Sequence, residues 1–235
     1  MNDHIVSTYD DELKEVRTIV TQMGDLAANQ LREAMLALRD LDIEKAKAVR
    51  LSDKKLDAME VTAERTVIGV FARRAPVAND LREVVSALKM TTMIERMGDY
   101  AKNIAKRTFA LSDGALVVMP QMLDKMATEA HQMIENVLEA YVQRSAEQAV
   151  AVWESDEALD GMYNLTYRTI LARMMETPEH IGELTHYLMI AKNIERIGDQ
   201  ATNVAEQIHY AITGDNLEEV RAKNDETSVE LFEQD

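Results

Sequence analysis

Cysteine is missing altogether from the 235 residues, so neither disulfides nor thiolate metal ligands are open to the chain. There are only three prolines and eight glycines, too few to punctuate a fold of many short strands and turns. Basic residues are scarce beside acids, 26 against 42, for a net charge of −16. Such a surface repels nucleic-acid phosphates and anionic membranes, which excludes nucleic acid as an expected ligand. No uninterrupted apolar run approaches the roughly 20 residues that span a bilayer, and no basic-then-apolar leader opens the sequence. The expected protein is therefore soluble, cytoplasmic and not inserted in a membrane. Glycine-rich phosphate loops, nucleophile elbows and thiol motifs are also missing, which removes the common sequence signals of an enzyme.

What is present is helical. Strong helix formers dominate, β-branched runs are short, and 46% hydrophobic content suffices for a core. The pattern predicts an all-α chain of six long helices, approximately Ser7–Leu38, Ile43–Arg74, Ala78–Ala110, Met122–Val142, Ala146–Glu176 and Glu179–Thr213. Asp42 and Ser145 are the expected N-caps, and Pro76, Pro120 and Pro178 fall where amphipathic patterns break.

The chain repeats itself. Glu95–Asn103 reads E-R-M-G-D-Y-A-K-N and Glu195–Asn203 reads E-R-I-G-D-Q-A-T-N, with six identities in nine positions. Arg50–Asp57 (R-L-S-D-K-K-L-D) likewise matches Trp153–Asp160 (W-E-S-D-E-A-L-D) at Ser, Asp, Leu and Asp. Short connections within each copy force antiparallel neighbours, so two tandem three-helix bundles are expected. The expected units are residues 1–111 and 118–214. Residues 215–235 form an acidic tail of eight acids against Arg221 and Lys223, expected to be disordered.

Within the third helix of each copy, Met90, Ile94, Met97, Ala101 and Ile104, and Ile190, Ile194, Ile197, Ala201 and Val204, repeat with the 4-3 spacing of a core seam. At 100° per residue, Glu95, Asp99 and Asn103 (and Glu195, Asp199 and Asn203) fall roughly opposite that seam. The second helix completes the pattern. Asp53 and Asp57 stand 23 and 19 residues before Pro76, and Asp99 and Glu95 stand 23 and 19 residues after it. These four acids are level in a hairpin, and Asp156, Asp160, Glu195 and Asp199 repeat the relation about Thr177-Pro178. Helix axes 8–10 Å apart let such side chains converge. Four unneutralised carboxylates repel one another, and a hard divalent or trivalent cation with oxygen ligands would stabilise them. Each patch is thus expected to be a metal site on the bundle surface, for iron, zinc, manganese or magnesium. The plainer alternative is a solvated acidic face, with Arg96, Arg107 or Arg196 in surface ion pairs.

Other functional signals are weaker. Glu183-Leu184-Thr185-His186 has the Glu-x-x-His spacing of carboxylate di-iron bundles, but the aligned first-copy residues are Glu83 and Ser86, so the match reads as accidental. His131, His180 and His209 have no partner at ligand spacing. Trp153 reads as a packing anchor. A carboxylate-bridged metalloenzyme and a metal-free helical adaptor remain the alternatives to a metal-binding, non-enzymatic adaptor.

The doubled E-R-[MI]-G-D-x-A-x-N segments, S-D-K-K-L-D-A-M-E with E-S-D-E-A-L-D-G-M-Y, and A-R-R-A-P-V-A-N-D-L-R resemble the PhoU family of phosphate-uptake regulators, from about Tyr9 to about Gly214. The resemblance implies two three-helix bundles in a cytoplasmic homodimer that restrains phosphate uptake and the phosphate-starvation response. Its implied partners are the ATP-binding subunit of the Pst phosphate transporter and the sensor kinase PhoR. It also implies Glu-x-x-x-Asp metal motifs, here Glu95 with Asp99 and Glu195 with Asp199, beside Asp53, Asp57, Asp156 and Asp160. The chain departs from the family pattern at Ala28-Asn29, where relatives often carry an acid on the first helix.

Overall fold

The computed structural model describes residues 2–74, 76, 78–112 and 119–217. Seven α-helices make up almost all of it: α1 (Asn2–Asp40), α2 (Ile43–Arg74), α3 (Ala78–Leu111), α4 (Gln121–Gln143), α5 (Ala146–Glu154), α6 (Asp156–Glu176) and α7 (Ile181–Thr213), with a single 3-10 turn at Pro178–His180. Among the described residues there is no strand. Residues 113–118, around the expected boundary between the units, and the tail beyond residue 217 lie outside the described residues.

Local chemistry sets the corners. Asp42 caps α2 by accepting from Lys45 N at 2.9 Å, and Ser145 caps α5 by accepting from Gln148 N at 3.2 Å. The chain reverses before each cap through a residue in the left-handed region, Leu41 (φ 51°) and Arg144 (φ 52°). Pro120 stands at the N-cap of α4, and Gly214 (φ 86°) closes α7.

One predicted helix, Ala146–Glu176, is interrupted. At Ser155 the hydroxyl donates back to Val152 O at 2.7 Å, and the chain resumes as α6 after a single turn residue. Such back-bonding competes with the helical ladder and bends it.

α1, α2 and α3 form one three-helix unit, and α4, the α5–α6 pair and α7 form the other, in tandem as expected. The most extensive contact in the molecule is α3 against α7, so the third helix of each unit lies at the centre. α1 and α2 flank α3, α4, α5 and α6 flank α7, and α1 meets α4. The predicted seams are buried: Met90, Ile94, Met97, Ala101 and Ile104 on α3, and Ile190, Ile194, Ile197, Ala201 and Val204 on α7, join one continuous core.

An ion-pair cluster fastens the units at one end. Glu83 of α3, largely buried, accepts from Arg17 Nε of α1 at 2.5 Å and from Arg144 Nη1 of the α4–α5 turn at 2.7 Å. Each arginine takes a different carboxylate oxygen, which satisfies the buried charge from both units.

Candidate metal centres

The two Glu-Arg-x-Gly-Asp motifs occupy equivalent places, each on the central helix and facing the second helix of its unit. The glycine makes that approach possible. A Cβ on Gly98 would come closer than 3.0 Å to Leu56 Cδ2 of α2, and a Cβ on Gly198 would do the same to Leu159 Cδ2 of α6. The same Cβ positions lie 3.6 Å from Asp53 Oδ1 and 3.6 Å from Asp156 Oδ1. One glycine per motif thus seats a leucine into the core and brings the second-helix aspartate against the third helix.

The hairpin pairing of the acids holds. In the first unit Lys102 Nζ of α3 donates to Asp53 Oδ2 at 2.6 Å and also to Asp99, so carboxylates of α2 and α3 meet through one ammonium. Glu95 is influenced by Asp99, Glu60, Asp57 and Asp53 together, which places all four predicted acids in one electrostatic neighbourhood. In the second unit Glu195 is influenced by Asp199 and Asp160, and Asp156 lies beside Gly198.

The expectation that the eight acids lie on the bundle surface is corrected for four of them. Asp53, Asp156, Asp160 and Glu195 are only 4%, 2%, 7% and 4% exposed. Glu95, Asp99 and Asp199 are half-buried, and Asp57 alone is exposed. The physical reason is topological. α3 and α7 are central helices wrapped by several neighbours, so the side opposite the seam is covered by α2 in one unit and α6 in the other.

Burial and crowding leave their mark on the proton equilibria. Burial first, then Asp99, Glu60, Asp57 and Asp53, push Glu95 up to about 7. Glu195 is also pushed up to about 7, by burial foremost, with Asp199 and Asp160 adding to the rise and Lys192 opposing it. Burial holds Asp53 above the ordinary aspartate range despite Lys102. In both patches burial and neighbouring carboxylates thus favour the protonated glutamate.

One residue on the first-unit patch was not legible as a ligand. Gln30 of α1, only 1% exposed, donates through Nε2 to Ser52 Oγ at 3.0 Å and turns Oε1 toward Gly98. Gln30 Oε1 and Asp53 Oδ1 are buried acceptors with no hydrogen-bond donor. Ala28 and Asn29 do not take this place: Ala28 is buried in the core, and Asn29 accepts from Arg32 at 2.6 Å. Met133 occupies the equivalent place near Gly198.

Among the described residues, no three His, Cys, Asp or Glu side chains are drawn together as a ready-made cage for an ion. The donor types are nevertheless those that divalent cations take. Carboxylates and an amide oxygen are the hard ligands of divalent cations, and two buried acceptors of the first patch still want a positive partner. Asp53, Asp99, Glu95 and Gln30 would hold a cation in the first unit, and Asp156, Asp160, Glu195 and Asp199 in the second, with Asp57 at the exposed rim.

The arginines expected beside the patches do other work. Arg196 stacks 5.8 Å above the Tyr100 ring, Arg107 approaches His186 Nδ1 at 3.5 Å, and Arg96 is exposed. The neutralising cations are lysines, Lys102 and, in the second unit, Lys192, which donates to Glu195 at 2.8 Å. In the Glu-x-x-His segment His186 faces Arg107, and burial, then that guanidinium, lowers its proton affinity; the aligned Glu83 is held by two arginines. His131 pairs with Glu135 on α4, His180 of the 3-10 turn pairs with Glu183 in the first turn of α7, and Trp153 packs on the core and donates to Glu206 at 3.0 Å.

Fold and patches together define a class: an all-α protein of two tandem, duplicated three-helix units with a carboxylate cluster on the central helix of each. The PhoU domain family matches residues 20–108 and 123–208, one match in each unit, and the chain belongs to the PhoU family. It is 40% identical over 216 residues to the phosphate-specific transport system accessory protein PhoU homolog of Zymomonas mobilis, covering 92% of this chain and 91% of that one. To the homolog of the same description in Caulobacter vibrioides it is 38% identical over 226 residues, covering 96% and 98%. The crystal structure of PhoU from Pseudomonas aeruginosa superposes with a TM-score of 0.84 at 30% identity, over 88% of this chain and all of that one. The phosphate transport system regulatory protein PhoU from Streptococcus pneumoniae superposes with a TM-score of 0.80 at 28% identity, over 89% and 99%. The Zymomonas mobilis and Caulobacter vibrioides relatives are described as accessory proteins of phosphate-specific transport, and the Streptococcus pneumoniae one as a regulatory protein.

Proposed function

We propose that the protein is a cytoplasmic, non-enzymatic adaptor of phosphate-specific transport that restrains phosphate uptake and the phosphate-starvation response. It would act as a homodimer between the ATP-binding subunit of the phosphate transporter and the sensor kinase PhoR. Metal ions on the two carboxylate patches would cross-link the second and third helices of each unit, stiffening the surface a partner meets. The observation that carries the reading is the match of both units, across almost the whole chain, to a family of phosphate-transport accessory proteins. The buried acceptors beside Gly98 and the charge crowding at Glu95 and Glu195 support the metal component. Among the described residues no helix is long and apolar enough to cross a membrane, which fits a peripheral partner of a transporter.

The test has two arms. Deleting the gene should raise phosphate-responsive expression in phosphate-rich medium, and tagged protein should recover the transporter ATPase and the kinase. Unchanged expression together with recovery of neither partner overturns the adaptor reading. Elemental analysis of the purified protein should find stoichiometric metal, and Asp99→Asn with Asp199→Asn should lower it. Metal-free protein that takes up none on reloading overturns the metal component alone.

A further inference from the structure

The two patches descend from one sequence, yet their lysines have changed places. Position 102 in the first motif is lysine and its equivalent, position 202, is threonine; position 192 in the second unit is lysine and its equivalent, position 92, is threonine. The consequences differ. Lys102 leans back one turn along α3 and bonds two carboxylates from two helices, Asp53 Oδ2 on α2 and Asp99 on α3. Thr202 is fully buried and donates to the backbone oxygen of Asp199 at 2.8 Å, so it brings no charge between α6 and α7. Lys192 stands at the other end of its motif, on Glu195 and 4.8 Å above the ring of Tyr163.

Lys102 therefore joins the pair of acids that a bridging metal would join. An ammonium and a divalent ion oppose each other at these two carboxylates, because like charges at ligand distance repel strongly. The ammonium meets only part of the demand. Asp53 Oδ1 and Gln30 Oε1 stay without donors although both side chains are buried. The Lys102 side chain is 33% exposed, so its head can swing to solvent without unpacking the core.

We infer that Lys102 is a tethered counter-ion that competes with metal for Asp53 and Asp99, making the first unit a lysine-gated cation site. This inference rests on the metal reading above. The ligand class is a hard divalent cation, and loading the first unit requires release of the ammonium.

The experiment uses the full chain, stripped of metal, with Mn2+ as the probe. Asp199→Asn weakens the second patch, so a calorimetric titration then reports the first. Adding Lys102→Thr, which copies the residue of the second unit, should tighten Mn2+ binding by about tenfold or more, as expected for removing a cation a few ångströms from the ion. Lys102→Arg, which keeps the charge, should leave the affinity close to that of the parent. A second measurement needs no substitution: in the wild-type chain, labelling of Lys102 by an amine-reactive reagent should rise when Mn2+ is added, while that of exposed Lys106 stays constant. Mn2+ binding that is unchanged or weaker in Lys102→Thr, with no rise in labelling of Lys102, overturns the gating while leaving the metal sites in place. If the wild-type chain and both variants all fail to take up Mn2+, the metal reading falls and the gating falls with it.

Discussion

Leu159 rests on Gly198 so closely that a single added methyl group would overlap its Cδ2 atom, and Leu56 stands in the same relation to Gly98. The motif glycine is thus a packing device, and the position of the acids depends on it. Gly98→Ala and Gly198→Ala should each push the second helix away and cost about 1–3 kcal/mol, the usual range for overpacking a filled core. Gly161, where an added Cβ meets nothing within 4 Å, is the control. Gly161→Ala should be neutral or raise stability by up to about 1 kcal/mol through helix propensity. Urea denaturation of the three variants checks the contrast.

Metal-free protein should lose stability as the solution becomes less acidic. Glu95 and Glu195 titrate near 4.5 when unfolded and at about 7 when folded. Between those values the folded chain holds protons that the unfolded chain has released. Their contribution is fully present below about 4.5 and is lost as pH rises through about 7. Glutamine keeps the neutral form at every pH, so Glu95→Gln with Glu195→Gln should be progressively more stable than wild type from pH 5 to pH 8. Thermal melts in chelator across that range measure the difference, and parallel curves would count against the buried-carboxylate account.

Adding a divalent cation should act most where those carboxylates are ionised. At a free Mn2+ concentration of about 100 times the dissociation constant, linkage to the folded state alone adds about 2.7 kcal/mol per site. The gain in Tm should be larger at pH 7.5 than at pH 5.5, where protons compete for the same oxygens. A gain independent of pH would point to binding elsewhere on the acidic surface.

Glu83 ties Arg17 to Arg144, and its loss should be felt across both units. Glu83→Gln keeps the shape but weakens two charge-assisted hydrogen bonds, with an expected cost of about 1–3 kcal/mol. Arg17→Ala and Arg144→Ala should each cost less, because both guanidinium groups are partly exposed and the remaining arginine still serves the carboxylate. A double-mutant cycle between Arg17 and Arg144 should be non-additive, since each rescues the loss of the other.

Much of this was legible in the residues themselves. The duplicated motif, the 4-3 seams and the equal distances of Asp53 and Asp99 from Pro76 sufficed to foresee the tandem units and the pairing of acids across each hairpin. The depth of the acids was not, because a seam identifies one buried face of a helix and cannot reveal that α3 and α7 are covered on the other side as well. Lys102 reads in sequence as an ordinary i,i+3 neighbour of Asp99, and its reach to Asp53 depends on a helix crossing set by Gly98. The break at Ser155 has no proline or glycine to announce it. The Arg17–Glu83–Arg144 cluster joins residues more than sixty positions apart, beyond any local pattern.

The continuous core across α3 and α7 limits how the duplication can be dissected. Because the longest contact in the molecule lies between the copies rather than within either, a fragment ending at residue 112 would present the α7-facing side of α3 to water. Neither half is a module that can be excised and assayed alone. The ancestral single copy, had it existed with this sequence pattern, would have needed a second molecule of itself to cover the same surface.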